Sequence, residues 1–272
     1  MTETKMNVQL LAHTMITEKF AKSFGLNESE TELTDVGELF RNEATDGQAI
    51  ALSAIRTCYS ANKPSEIVAK EGAKYFGNSA TDGGSGTDAD RLFRQIVASK
   101  HTSTLEHLTF TFAIEGVSRA LLAQLTRHRA GFSFSVQSQR YVKMGSGNKS
   151  GGFDYVVPEK VTGDKIAVEC ADYDLTADDV FADAMMHAQE SYDLLRKAGV
   201  PAEDARAVLP QAAATNLVMT VNLRALLDFY AKRRRGNGAQ AEIADLAEAL
   251  CRAVTEVEPW TAQFFKGVSA SV

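Results

Sequence analysis

The residues richest in possible chemistry form one short run, residues 127–141, with the sequence RHRAGFSFSVQSQRY. It combines three arginines and a histidine with three aromatic rings and several serine and glutamine side chains. An arginine guanidinium can donate two parallel hydrogen bonds to a phosphate or carboxylate, which a lysine ammonium cannot do. The run therefore favours a site for one or two phosphate groups beside a polar planar ring, although a solvated basic turn has the same composition.

The chain as a whole is acidic, which sets this basic run apart. Its 272 residues carry a formal net charge of -6, and 24% of them are charged. Proteins that bind nucleic acid or membrane surfaces generally show a basic excess. No apolar run approaches the ~20 residues that span a bilayer. We therefore expect a cytoplasmic protein with no nucleic-acid or membrane partner, in which the clustered arginines form a site.

The three cysteines suggest neither a disulfide framework nor a zinc site. Cys58, Cys170 and Cys251 lie far apart and show no CxxC spacing. Each occurs in a pattern typical of a small, buried apolar residue. We therefore expect no metal site and no cysteine nucleophile.

Other segments also place polar side chains beside apolar sequence. HTSTLEH, residues 101–107, precedes a strand pattern but lacks the HExxH spacing of a zinc site. Its Ser103 and Glu106 also fit a helix-capping box. Further along the chain, similar positions are held by Arg206, Asn222, Arg224 and Arg233. Repeated arginines next to apolar sequence in an acidic chain indicate anion binding at several points.

Hydrophobic periodicity predicts the elements that must position these residues. Apolar alternation predicts strands over residues 6–14 and 108–114, with Gly116 ending the second strand. A third segment, TNLVMTVNLRALLDFYAKRR, runs from a strand pattern into a helix. Helical spacing predicts long helices over residues 47–60, 177–198 and 239–257. The acidic stretch at 18–46, with a short helix at DVGELFRNEA, and the Gly-, Ser- and Asp-rich stretch at 77–90 are predicted insertions in one α+β domain of residues 1–272.

The apolar stripe of VSRALLAQLTRHR predicts a helix that ends at Arg129. On such a helix Gln124, Arg127 and His128 would share one face, away from the leucines. The glycine-containing segment that follows could then turn serine and glutamine side chains toward the same ligand.

Together these blocks resemble the flavin-dependent thymidylate synthase family. Its signature is RHR, a short spacer and a serine followed by xRY, and residues 127–141 fit it. Similar family blocks follow in order, from the first strand to about Phe265: AIRTCYS, HTSTLEHLTFTFAIEGVSRA, ARAVLP, VNLRALLDF, AQAEI and EPWTAQFF. The chain departs from the pattern twice. The spacer before Ser138 is one residue longer, so Val136 falls near a usually polar or acidic position, and Asn237-Gly238 stand where a histidine is often found.

The resemblance implies a single domain with a largely antiparallel sheet flanked by long helices. It implies an enzyme that transfers a methylene group from methylenetetrahydrofolate to dUMP and reduces it, so that dTMP forms. FAD would carry the hydride from NADPH, and the FAD sites of a homotetramer would be shared between subunits. The two departures leave open an alternative, a related FAD- and folate-dependent pyrimidine nucleotide hydroxymethylase.

The resemblance also implies roles for single residues. FAD would be bound by Ser103, Arg127, His128, Arg129, Asn222 and Arg224. dUMP would be bound by Gln124, Arg127, Gln137, Ser138, Gln139, Arg140 and Arg206. Arg140 and Arg206 would hold its phosphate. The catalytic residue would be Arg233, which would stabilise negative charge on the uracil ring as an oxyanion-hole donor does, although counting back from the AQ block selects Arg234.

Overall fold

The structure is a computed structural model that describes residues 1–25, 44–169 and 173–266. The main sheet is antiparallel and has four strands: β1 (Asn7–His13), β2 (Thr109–Ser118), β3 (Phe132–Val136) and β6 (Ala214–Asn222). Their order across the sheet is β1-β2-β6-β3. A separate two-stranded sheet pairs β4 (Ile166–Val168) with β5 (Leu175–Thr176). With the helices this confirms the predicted α+β class and the antiparallel sheet.

Ten helices lie within the described residues: α1 (Glu18–Ser23), α2 (Asp46–Thr57), α3 (Ile67–Phe76), α4 (Asp88–Ala98), α5 (Arg119–Leu125), α6 (Ala177–Lys197), α7 (Ala202–Ala205), α8 (Leu223–Arg233), α9 (Ala241–Val257) and α10 (Ala262–Lys266). Short 3-10 turns occupy Pro64–Glu66, Thr102–His107, Arg206–Val208 and Pro259–Thr261. The predicted helices at 47–60, 177–198 and 239–257 are confirmed by α2, α6 and α9. None of these described helices is long and apolar enough to cross a bilayer.

Alternating apolar side chains join the central strands to the helical core. On β2, Phe110, Phe112 and Ile114 are almost fully buried. Directly opposite on β6 lie Val221, Met219 and Leu217, also buried. Burying side chains of this size stabilises the fold by about 1.5–3 kcal/mol each. Because the side-chain period of a strand is two, a slip of one residue would turn every one of them to the opposite face.

Gly116 does not end the second strand, contrary to the sequence prediction. The strand continues to Ser118, with an irregular register against β6 between Ile114 and Val117. Gly116 has φ +64, and an added Cβ would meet the Lys5 carbonyl oxygen at 2.5 Å. A bulge places one residue in a left-handed conformation without stopping the pairing. The glycine therefore marks a β-bulge.

The predicted helix to Arg129 is also wrong, because α5 ends at Leu125. The Thr126 hydroxyl donates to the Leu122 carbonyl over 2.9 Å and closes the last turn. The chain then turns back into β3, a strand that periodicity alone did not assign. Here Phe132, Phe134 and Val136 pair with β6 without a register shift. The pairing requires a reversal between α5 and β3, and this overrides local helix propensity.

The predicted insertions have partly regular structure. The 77–90 stretch is irregular up to Thr87, where a capping box starts α4. Its last residues are therefore helical, and Asp88 and Asp90 are buried. In the 18–46 stretch, α1 is described, whereas the predicted helix at DVGELFRNEA lies largely outside the described residues. That these stretches are insertions stays a prediction.

A buried carboxylate ties three distant parts of the chain together. Glu258 is 1% exposed and accepts hydrogen bonds from the Thr45 hydroxyl, from Gly47 N at 3.2 Å and from Trp260 Nε1 at 2.6 Å. The His13 ring on β1 lies 4.0 Å away. Burial raises the pKa of Glu258, and its hydrogen bonds oppose this rise. The residue fixes the start of α2 against β1 and the C-terminal helices.

Replacing this carboxylate should destabilise the whole fold. Glu258→Ala leaves buried donors without an acceptor, so we expect the free energy of unfolding to fall by about 3 kcal/mol. Denaturant titration measures this. Glu258→Gln keeps an acceptor oxygen and should lose less. Exposed Glu256→Ala is the control and should change the value by less than about 0.5 kcal/mol; equal effects of the two alanine variants would contradict the assigned role.

Candidate active site

A cleft of about 640 Å³ opens beside the sheet where β6 runs into α8. One wall is the 3-10 turn Thr102–His107, represented by Thr102 and Glu106. The other wall is α8, and the floor is formed by Gly131 and Ala130. The remaining lining residues are Val97, Lys100, Asn222, Arg224, Ala225, Leu227, Asp228, Ala231, Lys232 and Phe264. Blocks about 120 residues apart in sequence therefore share one cleft.

Asn222 is fixed in the cleft by two backbone contacts. Its side-chain oxygen accepts from Ala225 N at 2.9 Å and caps α8. Its own backbone N donates to the Gly131 carbonyl at 3.1 Å. Because the oxygen is used as a helix cap, the amide nitrogen remains as the donor available to a ligand. Gly131 has φ +75, and a Cβ there would lie 2.6 Å from the Ala225 Cβ.

Arg224 lies two residues after this cap, in the first turn of α8. It forms an ion pair with Glu106 across the cleft, and both side chains are about half exposed. Ser103, from the same 3-10 turn as Glu106, is exposed and does not line the cleft. Of the residues predicted for FAD, the cleft thus brings together Asn222 and Arg224.

The histidine of the signature contacts the predicted catalytic arginine. His128 Nε2 accepts a hydrogen bond from Arg233 Nε at 3.2 Å. The His128 ring packs edge-on against Phe229, with centroids 5.0 Å apart, and lies beside Phe132. Burial first, and then the nearby Arg233 charge, lowers the pKa of His128. Arg127 and Arg129 on either side are exposed.

This contact distinguishes Arg233 from Arg234. Arg233 is the last residue of α8 and faces the signature. Arg234 caps the helix and lies near Tyr230, whose hydroxyl donates to Glu248. The Nε of Arg234 is buried and has no hydrogen-bond partner in the described part of the chain. The geometry therefore favours Arg233 as the arginine that acts with the signature.

A second cluster collects the arginines predicted for a phosphate. Arg140 Nε donates to the Glu203 carboxylate at 2.7 Å. Arg206 Nε donates to the Glu203 backbone carbonyl at 3.0 Å. Arg119 lies at the same end of the sheet, where its backbone N donates to the Ala213 carbonyl at 3.0 Å, and burial first and then the Arg206 charge lower its pKa. Arg119, the first residue of α5, was not predicted as a site residue, because a single arginine at a helix start carries no local signal.

The remaining signature residues lie along the edge of the sheet. Gln137 N donates to the Asn216 carbonyl, and both residues line a smaller cavity of about 240 Å³. Ser138 Oγ accepts from Arg140 N at 3.2 Å. Gln139 is buried, and its Nε2 has no partner among the described residues. Gln124 donates to Gln240 and, contrary to prediction, shares no helix face with His128.

The cysteines do not match the predicted burial. Cys58 is exposed, and Cys251 is only partly buried. Burial raises the pKa of Cys251 to about 11. Its thiol therefore stays protonated near neutral pH and is a poor nucleophile. Cys170 lies outside the described residues. No group of His, Cys, Asp or Glu side chains suited to a metal ion occurs in the part of the chain that the structure describes.

Residues 40–260 match the model of a protein family described as thymidylate synthase complementing protein. The flavin-dependent thymidylate synthase of Geobacter sulfurreducens is 37% identical over 214 residues, which cover 79% of this chain and 80% of that protein. The flavin-dependent thymidylate synthase of Clostridium tetani is 32% identical over 228 residues, covering 78% and 79%.

Two solved structures are similar over nearly the whole chain. The UMP/dUMP methylase PolB from Streptomyces cacaoi, bound with 5-Br dUMP, has a TM-score of 0.63 at 22% identity, with 97% of this chain and 96% of that chain covered. Thymidylate synthase X from Helicobacter pylori, with FAD and dUMP, has a TM-score of 0.59 at 23% identity, covering 96% and 98%. At these identities the likeness establishes the fold alone.

The close packing at Gly131 can be tested against a matched glycine. Gly131→Ala adds both a strained φ and a contact with Ala225, whereas Gly199 has φ +89 and nothing within 4 Å of an added Cβ. Both alanines bear the conformational strain of about 1 kcal/mol. We expect Gly131→Ala to lower the free energy of unfolding by about 1–2 kcal/mol more than Gly199→Ala in denaturant titrations. Equal losses would show that the floor of the cleft can relax.

Proposed function

The chain belongs to the family of flavin-dependent thymidylate synthases, and we propose from this premise that it converts dUMP to dTMP with FAD bound in the cleft. The methylene carbon would come from methylenetetrahydrofolate, and NADPH would supply the reducing equivalents. The observation that carries the proposal is the hydrogen bond between the signature histidine and Arg233 at the end of α8. It places a cation beside the RHR motif, next to the cleft.

Two donors and the volume of the cleft support FAD binding there. Its volume of about 640 Å³ lies in the usual range for sites of large ligands. The Asn222 amide and the Arg224 guanidinium can donate to phosphate or ribityl oxygens. Gly131, where a side chain would fill space beside Asn222, lets the backbone approach a ligand closely. When bound, FAD supplies hydride transfer, and this chain's residues hold and orient the reactants.

The arginine cluster around Glu203 fits the phosphate of dUMP. Arg140 and Arg206 both contact Glu203, and the Arg206 charge also acts on Arg119. A phosphate dianion can accept several charge-assisted hydrogen bonds from them. We propose that Gln124, Arg127, Gln137, Ser138 and Gln139 hold the rest of the nucleotide. Ser138 has no general base within reach among its described hydrogen-bond partners, so we assign it to binding.

Arg233 would act on the uracil ring. Carbon 5 of uracil becomes nucleophilic only when electron density is pushed into the ring, which places negative charge on the ring oxygens. A guanidinium aimed at that charge stabilises the transition state more than the ground state. Ser103, Arg127, His128 and Arg129 would complete the flavin contacts, as the resemblance implies.

The geometry supports a site shared between subunits of a homotetramer. Thr109 of β2 pairs with Asn222 beside the cleft, whereas Ser118 pairs with Ala214 beside Arg119. Nine residue steps at about 3.3 Å separate these ends by roughly 30 Å. One dUMP molecule is too short to join both ends of the same chain. We therefore propose that the phosphate cluster of one subunit meets the cleft of another.

The proposed reaction is tested with purified protein. We expect a flavin absorption spectrum and, with dUMP, methylenetetrahydrofolate and NADPH, the formation of dTMP identified by product mass. A folded, FAD-loaded protein that forms no dTMP would contradict the proposal. A hydroxymethylated nucleotide as the product would favour the alternative reaction instead.

We expect the alanine variants of the arginines to fall into three groups, which lose dUMP binding, FAD binding or turnover. Arg140→Ala and Arg206→Ala should keep FAD but bind dUMP about ten- to a hundredfold more weakly, because each loses a charge-assisted partner. Arg224→Ala should lose FAD first, and Arg233→Ala should keep both ligands but turn over slowly. Fluorescence titration and stopped-flow flavin oxidation measure these effects.

The exposed Arg252 provides a matched control for these charge deletions. Arg252→Ala should leave both ligand affinities and turnover unchanged. Normal dUMP binding by Arg140→Ala together with loss of FAD would overturn the division into a nucleotide cluster and a flavin cleft.

Light scattering tests the assembly. A homotetramer of 29.5 kDa chains should give about four times that mass. In a second experiment, an equal mixture of Arg140→Ala and Arg224→Ala subunits should regain activity, because some shared sites then carry neither change. A monomer that binds FAD tightly would exclude the shared site.

A further inference from the structure

We infer that His128 is a positioning residue for Arg233: its Nε2 accepts the Arg233 Nε proton and thereby directs the other guanidinium nitrogens toward the substrate. The inference deepens the proposed function and rests on it for the role of Arg233. It assigns to His128 a task besides the flavin contact that the resemblance implies.

The hydrogen bond fixes the chemical state of the histidine. Arg233 Nε can only donate, so His128 Nε2, 3.2 Å away, must accept. A histidine that accepts at Nε2 is neutral and carries its proton on Nδ1. The ring itself is held by Phe229 at 5.0 Å and Phe132 at 6.0 Å between centroids. The acceptor therefore has a fixed direction.

Fixing Nε also fixes the whole guanidinium. The group is planar and its five N–H bonds have a rigid fork geometry. With the Nε proton used, the four protons on the two η nitrogens remain, in a plane set by the His128 contact. Arg233 is the last residue of α8, so no helical residue three or four positions later restrains its long side chain. The histidine supplies the missing constraint.

The partner's neutrality distinguishes Arg233 from the two arginines of the site that form ion pairs. Arg224 pairs with Glu106 and Arg140 with Glu203. Among the described ion pairs, none involves Arg233. A carboxylate would orient Arg233 equally well but would cancel much of its charge. An imidazole orients it and leaves the full positive charge for the ring.

The surroundings of His128 keep this acceptor unprotonated. Burial and the charges of Arg233, Lys232 and Arg127 all lower its pKa, and Asp228 opposes them. The acceptor form is therefore present above that lowered pKa and is lost as the pH falls through it. Protonation would then turn an Nε2–H toward the Arg233 Nε–H and break the contact.

Two amide substitutions separate positioning from other roles. The Gln oxygen can reach the place of Nε2, whereas the shorter Asn oxygen reaches only the place of Nδ1. Both variants lose the flavin contact of the imidazole, so at saturating FAD their difference reports the acceptor alone: we expect kcat of His128→Asn to lie about ten- to a hundredfold below that of His128→Gln, with similar KM for dUMP and similar flavin content in the two variants. The wild-type loss of kcat at acid pH should vanish in His128→Gln.

A measurement without catalysis checks the same contact. In protein labelled with ¹⁵N-histidine, one of the five histidines should show an unprotonated Nε2 and a protonated Nδ1. His128→Gln assigns its signal, and Arg233→Gln should shift it. Equal kcat losses in the Gln and Asn variants, an unchanged acid limb in His128→Gln, or a kcat difference that follows a lower flavin content of the Asn variant would overturn the inference. A wild-type protein that forms no dTMP would instead overturn the proposed function.

Discussion

The antiparallel pairing of β2 with β6 is the constraint on which the rest of the structure depends. At one end Thr109 lies opposite Asn222, and Leu223 N donates to the Leu108 carbonyl at 2.8 Å. This brings the HTSTLEH turn against the start of α8 and creates the cleft. At the other end Arg119 N donates to the Ala213 carbonyl at 3.0 Å, which joins α5 to the segment that carries Arg206. A single register thus assembles both the cleft and the arginine cluster from distant sequence.

This dependence explains how much the sequence could predict. The strands β1, β2 and β6 and the long helices follow from alternation or from helical spacing, which are local signals. The bulge at Gly116, the early end of α5 and the strand β3 are set by pairing with β6, about 80–100 residues away. The same holds for the site. Arg140 and Arg206 were expected from family blocks, whereas Arg119 gains its role only from tertiary contact.

The arginines of the site differ in what holds them. Carboxylates hold Arg140 and Arg224, two of those assigned to binding, so their charge is partly balanced before any ligand arrives. A neutral imidazole holds the one assigned to the ring, and its charge is left intact. Such a division suits the two tasks, because a binding group must exchange partners, whereas a group that stabilises a transition state gains from a fixed orientation and an undiminished field.

The ion pair between Arg140 and Glu203 also bears on selectivity. If Arg140 binds the phosphate as proposed, an incoming phosphate would take the place of Glu203, and its gain would be the difference between two charge-assisted pairs and not the whole strength of one. Inorganic phosphate, abundant in cells, offers only that difference. A nucleotide adds the contacts of its sugar and base. In the proposed site, the resident carboxylate would therefore favour the nucleotide over the free ion.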